Sequence, residues 1–222
     1  MMRERVLIVG LGGIGMMYDV TSSPDENAVA LSHASAFHAH DAFELSAGVD
    51  IDASQRATFT NRFGVPAYES VLQAFEKTEA SVVVVASPTS LRLAHVEAVL
   101  SAASPRIILC EKPLGYTSRE AQRIIDACSA AGAELRVNYQ RRVDASTIEI
   151  QRMIRNRDIR LPVRGVCWYS KGAMHSASHF VDLLSYWFGP ILETQLLREG
   201  RPFGKWDAEP DFLLRLDGAE IT

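Results

Sequence analysis

Short apolar runs recur along the first 140 residues, each followed by a stretch with helical spacing. Residues 5–9 (RVLIV), 45–49 (LSAGV), 82–86 and 107–110 read as strands, with 65–68 and 135–139 as two further extended pieces. Residues 14–18, 52–63, 71–75, 91–102 and 118–131 carry apolar positions at helical spacing. The last of these is predicted to start on a Ser118 cap and to stop at Gly132. Short apolar strands separated by helices pack as a parallel sheet with helices on both faces. The pattern therefore predicts an α/β fold with a doubly wound parallel sheet over residues 1–140.

From residue 141 the pattern changes. Residues 148–157 and 177–188 read as helices, the second ended by Gly189 and Pro190, and 162–169, 191–198 and 212–216 read as strands. Asp217 and Gly218 form a hairpin-type turn with only four residues after it. Residues 141–222 are thus expected to be a truncated α+β domain on an open mixed sheet. The last hairpin is expected to lack its second strand, and the chain to be a fragment or short version of something larger.

Composition narrows the class. The chain has 222 residues, 47% hydrophobic and 23% charged, with a formal charge of −4. This excludes a disordered chain and a strongly basic nucleic-acid binder. No apolar run approaches the length that spans a bilayer, and the start of the chain lacks the pattern of a signal peptide. The three cysteines, Cys110, Cys128 and Cys167, are an odd number without CxxC spacing, which fits a reducing cytoplasm. Charge is uneven: seven arginines stand against three acids between residues 141 and 164. This run reads as a solvated face or as a positive rim for an anionic substrate.

Four motifs carry candidate chemistry. The first is Gly10-Leu11-Gly12-Gly13-Ile14-Gly15, which follows a strand and opens a helix. In that setting Gly10 permits the tight turn, Gly12 the approach of a pyrophosphate and Gly15 close helix–strand packing. Gly13 and Ile14 add amides at the helix start. The second is Asp50, closing the second strand, where an acid accepts both ribose hydroxyls and repels a 2′-phosphate. It lies farther from Gly15 than the usual spacing of about 20 residues, which predicts an insertion over residues 18–35. Asp52 is expected to face solvent. NAD is preferred, with NADP kept open by Arg56. The third motif is Glu111-Lys112-Pro113, where the strand end points a cation at bound substrate. The fourth places His175, His179 and Asp182 on one helix face, with His179 and Asp182 spaced as a base and its orienting acid.

In this order the motifs, together with VVVVASPTSLRLAH, CEKPL, VNYQRR and KGAMHSASHFVDLL, resemble the glucose–fructose oxidoreductase/inositol dehydrogenase (Gfo/Idh/MocA) family. The resemblance implies a Rossmann domain paired with a mixed α/β domain, acting on a sugar, nucleotide-sugar or cyclitol-like small molecule. It implies no nucleic-acid or membrane partner and a homodimer or homotetramer joined through the sheet. Lys112 would bind the reacting oxygen, His179 move its proton and Asp182 orient His179. Ser87, Pro88, His95 and Glu111 would lie near the cofactor. Arg142 would shape the domain junction, and the Lys112–Pro113 bond would often be cis. His175 stands where many members carry aspartate, so Lys171 and His175, together with Arg142, become candidate substrate contacts.

The remaining candidates are read as structural. His33, His38 and His40 are expected to form a polar helix face rather than a metal site. Cys110 is expected to be a buried thiol. Tyr139 lacks the lysine spacing of a short-chain dehydrogenase. The sequence thus points to an NAD(P)-dependent oxidoreductase acting on CH–OH groups. The alternatives are a nucleotide-binding protein without turnover and a lyase or hydrolase that recycles NAD.

Overall fold

The computed structural model describes residues 3–20 and 30–222. Residues 21–29 of the expected insertion, with Pro24, Asp25, Glu26 and Asn27, lie outside the described residues. The chain divides into two compact units, Met1–Asn138 and Tyr139–Thr222.

In the first unit six parallel strands form one sheet: β1 (Glu4–Val9), β2 (Phe43–Val49), β3 (Ala67–Tyr68), β4 (Val82–Val85), β5 (Ile107–Cys110) and β6 (Glu134–Val137). Their order is β3-β2-β1-β4-β5-β6. The order reverses between β1 and β4, which opens a crevice beyond their carboxyl ends. Alternation along the strands supplies both helical layers. Leu7, Val9, Val83 and Val85 pack in one cluster with Val96, Val99 and Ile124. Val6, Ile8, Val82 and Val84 pack in the other with Leu11, Met16, Phe59 and Phe63. Every one of these β1 and β4 side chains is buried, and each contributes about 1.5–3 kcal/mol by leaving water. This double burial is why the strands read as unbroken apolar runs.

Helices α1 (Tyr18–Val20), α2 (His33–Ala39), α3 (Ala53–Phe63), α4 (Val71–Lys77), α5 (Thr89–Ala102) and α6 (Ser118–Ala130) cover the sheet. Asp52 is exposed, as expected, and caps α3 by accepting from the Ser54 amide. The α6 start differs from the sequence expectation, because Thr117 rather than Ser118 is the cap. Thr117 and Glu120 exchange side-chain and backbone hydrogen bonds. That reciprocal box satisfies two amides, where a lone Ser118 would satisfy one. His33 also departs from expectation. It lies at the start of α2 and is buried, not part of a solvent-facing stripe.

The second unit holds α7 (Ala145–Arg155), β7 (Val163–Gly165), α8 (Ser178–Phe188), β8 (Ile191–Phe203), β9 (Asp207–Leu216) and β10 (Ala219–Ile221). The strands form a mixed sheet in the order β7-β10-β9-β8. The expected missing hairpin strand is present in short form. β10 pairs antiparallel with β9, Ala219 facing Leu216 and Ile221 facing Leu214, and parallel with β7. The two residues of the Asp217–Gly218 turn bring the chain straight back, so three residues suffice to pair. Leu214, Leu216, Ala219 and Ile221 pack with Val181, Leu184 and Phe188 of α8. The Trp187 indole N–H donates to the Thr147 carbonyl and ties α8 to α7.

Candidate functional site

The parallel ladder of the first unit runs one residue past each strand. Gly10 N–H donates to Val49 O, Ala86 N–H to Val9 O, Glu111 N–H to Val85 O and Asn138 N–H to Cys110 O. The sheet itself therefore fixes the backbone at Gly10, Ala86, Glu111 and Asn138, from which the candidate loops start.

At the β1 end Gly10 has φ +96°, and a Cβ there would meet the Ser87 amide nitrogen at 2.7 Å. A Cβ on Gly15 would sit 2.0 Å from the Gly10 carbonyl oxygen. Both glycines are required by close approach of backbone. Gly12 is different, since a Cβ built on it meets nothing within 4 Å. Gly13 and Ile14 open the turn that leads into α1, and the amides of Met16 and Met17 both close it on the Gly12 carbonyl.

Asp50 is bound into this loop. Its Oδ2 accepts from the Leu11 amide at 2.8 Å and its Oδ1 from the Asp52 amide at 2.9 Å. Arg56 points its guanidinium at the Asp50 and Ile51 carbonyls, both at 2.8 Å, so it is committed to the strand end. Ser87 is buried, with its hydroxyl lacking a partner among the described residues, and Pro88 precedes the first turn of α5. Burial lowers the His95 pKa despite the charge of Asp50, which favours a neutral ring. Its Nδ1 is buried without a hydrogen-bond partner among the described residues.

At the β5 end Glu111 is buried and turned inward. Its Oε1 meets His33 Nε2 at 2.9 Å and accepts from Asn138 Nδ2 at 2.6 Å, while Oε2 accepts from the Lys112 amide. Burial alone would raise the Glu111 pKa; these bonds outweigh it and hold the carboxyl below its usual range. Glu111 thus supports Lys112 from behind. The Lys112–Pro113 peptide is cis. Arg92, also buried, links the neighbouring loops by donating to the Ser87 carbonyl at 2.9 Å and to the Pro113 carbonyl. Cys110 is buried, and desolvation pushes its thiol up to about 12.

In the second unit the turn Ala173–Ala177 carries His175 and runs into α8, whose first turn carries His179. The Tyr139 ring stands edge-on to His179, with centroids 5.9 Å apart. Asp182 receives two hydrogen bonds from Arg142, at 2.8 and 2.6 Å. That pairing raises the Arg142 pKa. A cavity of about 560 Å³ is lined by Tyr139, Arg142, Ser178 and Asp182. A larger one, about 1070 Å³, lies over the sheet among Trp168, Tyr169, Phe180 and Phe212. Its lining includes Phe180 and Val181 of the KGAMHSASHFVDLL segment but none of the candidate catalytic or substrate residues Arg142, Lys171, His175, His179 and Asp182. Lys171 and His175 are exposed.

Residues 4–139 match the model of the GFO_IDH_MocA family, described as an oxidoreductase family with an NAD-binding Rossmann fold. The chain belongs to this family. Among curated relatives it is 26% identical over 186 residues to inositol 2-dehydrogenase 3 of Saccharopolyspora erythraea, which covers 77% of this chain and 54% of that protein. It is 29% identical over 143 residues to the rhizopine catabolism protein MocA of Rhizobium meliloti, covering 64% and 39%. The chain thus spans about half, or less, of the length of these relatives. Two solved structures share the fold. The WlbA dehydrogenase of Bordetella pertussis, in complex with NADH and UDP-GlcNAcA, has a TM-score of 0.79 at 20% identity, covering 99% of this chain and 65% of that one. The aldose-aldose oxidoreductase of Caulobacter crescentus has a TM-score of 0.79 at 20% identity, covering 99% and 70%.

For this member of the GFO_IDH_MocA family, the first unit fits a dinucleotide. The space above Gly12 is open, the Ser87 hydroxyl is buried without a partner, and the Asp50 carboxylate is fixed beside the glycine loop. Three supporting residues escaped the sequence reading: His33, Arg92 and Asn138. His33 falls within the expected insertion and Asn138 directly follows the neighbouring strand, and both are far from Glu111 in the chain. Arg92 offered the better signal, since an arginine near the start of an otherwise apolar helix needs an acceptor when buried. Among the described residues no helix is long and apolar enough to cross a membrane, and no group of three or more His, Cys, Asp and Glu side chains is placed to hold a metal.

Proposed function

We propose that this chain is an NAD(H)-dependent oxidoreductase acting on a CH–OH or carbonyl carbon of a sugar, nucleotide-sugar or cyclitol-like substrate. One observation carries the reading: the glycine loop, Asp50 and Lys112 follow the carboxyl ends of β1, β2 and β5 in a single parallel sheet, where such sheets bind ligands. Gly10, Gly12, Gly13, Ile14 and Gly15 would cradle the pyrophosphate. Asp50 would take the adenosine ribose, with Ser87, Pro88 and His95 flanking it and Glu111 holding the backbone of Lys112. When bound, the nicotinamide supplies the hydride donor or acceptor.

The chain's own groups supply the rest. The Lys112 ammonium would hold the substrate oxygen and stabilise negative charge on it. His179 would take the hydroxyl proton in oxidation and return it in reduction. Asp182, which accepts two hydrogen bonds from Arg142, would orient His179. Lys171 and His175 would contact the substrate. The two catalytic groups are tested by Lys112→Ala and His179→Ala, which should each lower turnover at least about 100-fold with NADH affinity retained. A 340 nm progress curve on polyols and sugars measures this, and wild-type turnover in both variants would refute it. Product formation without net NADH would favour the recycling enzyme instead.

A further inference from the structure

The turn that leads into α8 is held by a strand that follows it by more than thirty residues. Asp207 and Glu209 lie two residues apart on β9, so they share one face of the strand. Asp207 Oδ1 accepts from the Met174 amide and Oδ2 from the His175 amide, both at 3.0 Å. Glu209 Oε1 accepts from the Lys171 amide at 2.6 Å and, more weakly, from the Gly172 amide at 3.4 Å. Two carboxylates thus take four of the five amides of residues 171–175, two of them in the first helical turn, where amides have no partner of their own.

The neighbouring acids show what is unusual here. Asp211, next on the same face, pairs with Arg198 at 2.8 Å. Glu209 divides itself between Arg201 and the loop. Asp207 accepts from three backbone amides, those of Met174, His175 and Ala208. The loop is also forced. Lys171 has φ +67° and Gly172 φ +84°, a left-handed pair that side chains other than glycine rarely adopt. A Cβ on Gly172 would stand 2.1 Å from Asp207 Oδ2, so glycine is what lets the carboxylate reach the turn. A lysine held in that conformation by its surroundings marks a position where direction matters.

We propose that Asp207 and Glu209 are positioning residues that fix the backbone of residues 171–175 and so aim Lys171 and His175 at the substrate. This rests on the reading that those two side chains meet the substrate. Neither carboxylate touches the reacting atoms.

The test compares full-length wild type with Asp207→Ala, Glu209→Ala and Glu209→Gln. Glutamine keeps the accepting oxygen. Three quantities are read: amide hydrogen exchange over residues 171–175, acylation of the Lys171 amine by acetic anhydride, and turnover with NAD⁺ and myo-inositol as the probe. NADH binding checks that the Rossmann unit is intact. Exchange should rise at least about tenfold in the alanine variants while the middle of α8 stays protected. Lys171 acylation should change with it, KM should rise more than kcat falls, and Glu209→Gln should restore all three. Unchanged exchange in both alanine variants overturns the proposal. So does faster exchange with an unmoved KM. If Asp207→Ala does not fold, the Glu209 pair decides alone. If wild type is inactive with the probe, that counts against the proposed function, and the positioning role then stands or falls on exchange together with Lys171 acylation.

Discussion

Gly12 and Gly15 are three residues apart in one loop, and alanine at each should produce opposite failures. At Gly12 the backbone is extended, with φ −69° and ψ −157°, outside the left-handed region that favours glycine, and an alanine methyl would meet no atom beyond its chain neighbours within 4 Å. Folding stability should hold or rise by about 0.4–1 kcal/mol, because the unfolded chain loses freedom. The same methyl fills the space through which a pyrophosphate approaches the backbone. NADH affinity should therefore fall at least about tenfold, or about 1.4 kcal/mol. At Gly15 the methyl would stand 2.0 Å from the Gly10 carbonyl oxygen, far inside the 3.4 Å at which ordinary contact begins. Relief requires moving α1 off β1, so that variant should lose at least about 1–3 kcal/mol of stability. Urea unfolding gives the first quantity and NADH fluorescence titration the second. A Gly12→Ala protein that binds NADH like wild type would refute the reasoning, as would one destabilised as much as Gly15→Ala.

Three further outcomes follow from the same geometry. Because Arg56 is committed to two carbonyls and Asp50 repels a 2′-phosphate, NADH should bind at least about tenfold tighter than NADPH. Asp50→Ala should shrink that ratio, and titration with both nucleotides measures it. His33→Ala removes one of the two side-chain partners of the buried Glu111 carboxylate, costing about 1–3 kcal/mol at neutral pH. Since the folded Glu111 carboxyl titrates below its unfolded value, its stabilisation is present above about pH 4.3 and is lost as pH falls through the folded value. The wild-type and His33→Ala stabilities should accordingly converge in acid, as followed by unfolding midpoints against pH. Cys110, buried and with its thiol pushed up to about 12, should resist iodoacetamide at pH 8 in the native protein and react once it is unfolded.

Much of the first unit was legible because its physics is local in sequence. A strand buried on both faces must be apolar throughout, so β1, β4 and β5 announce themselves. Gly10 and Gly15 are glycine because backbone meets backbone there, and a residue without Cβ is the only solution. Asp50 stands out as a candidate because it directly follows β2, and Lys112 because it comes two residues after β5. Local signals fail where two candidates compete. Ser118 and Thr117 both suit a cap, and the Glu120 reciprocal bond decides for Thr117.

Other features depend on residues that the chain brings together from afar. His33 looked like one of three histidines on a polar face, yet the buried Glu111 carboxylate, 78 residues away, draws it inside. Helical spacing places Asp182 beside His179, but no local pattern shows that Arg142, 40 residues away, delivers a bidentate guanidinium to the same carboxylate. The β10 strand was too short to be read as one, and three residues count as a strand only because β7 and β9 stand on either side of it. Asp207 and Glu209 carry no motif at all. Periodicity and spacing determined where the backbone turns and which residues end the strands. Which acid meets which amide, histidine or arginine was decided by tertiary structure, because an ion or hydrogen-bonding group withdrawn from water takes the partner that the fold places within about 3 Å.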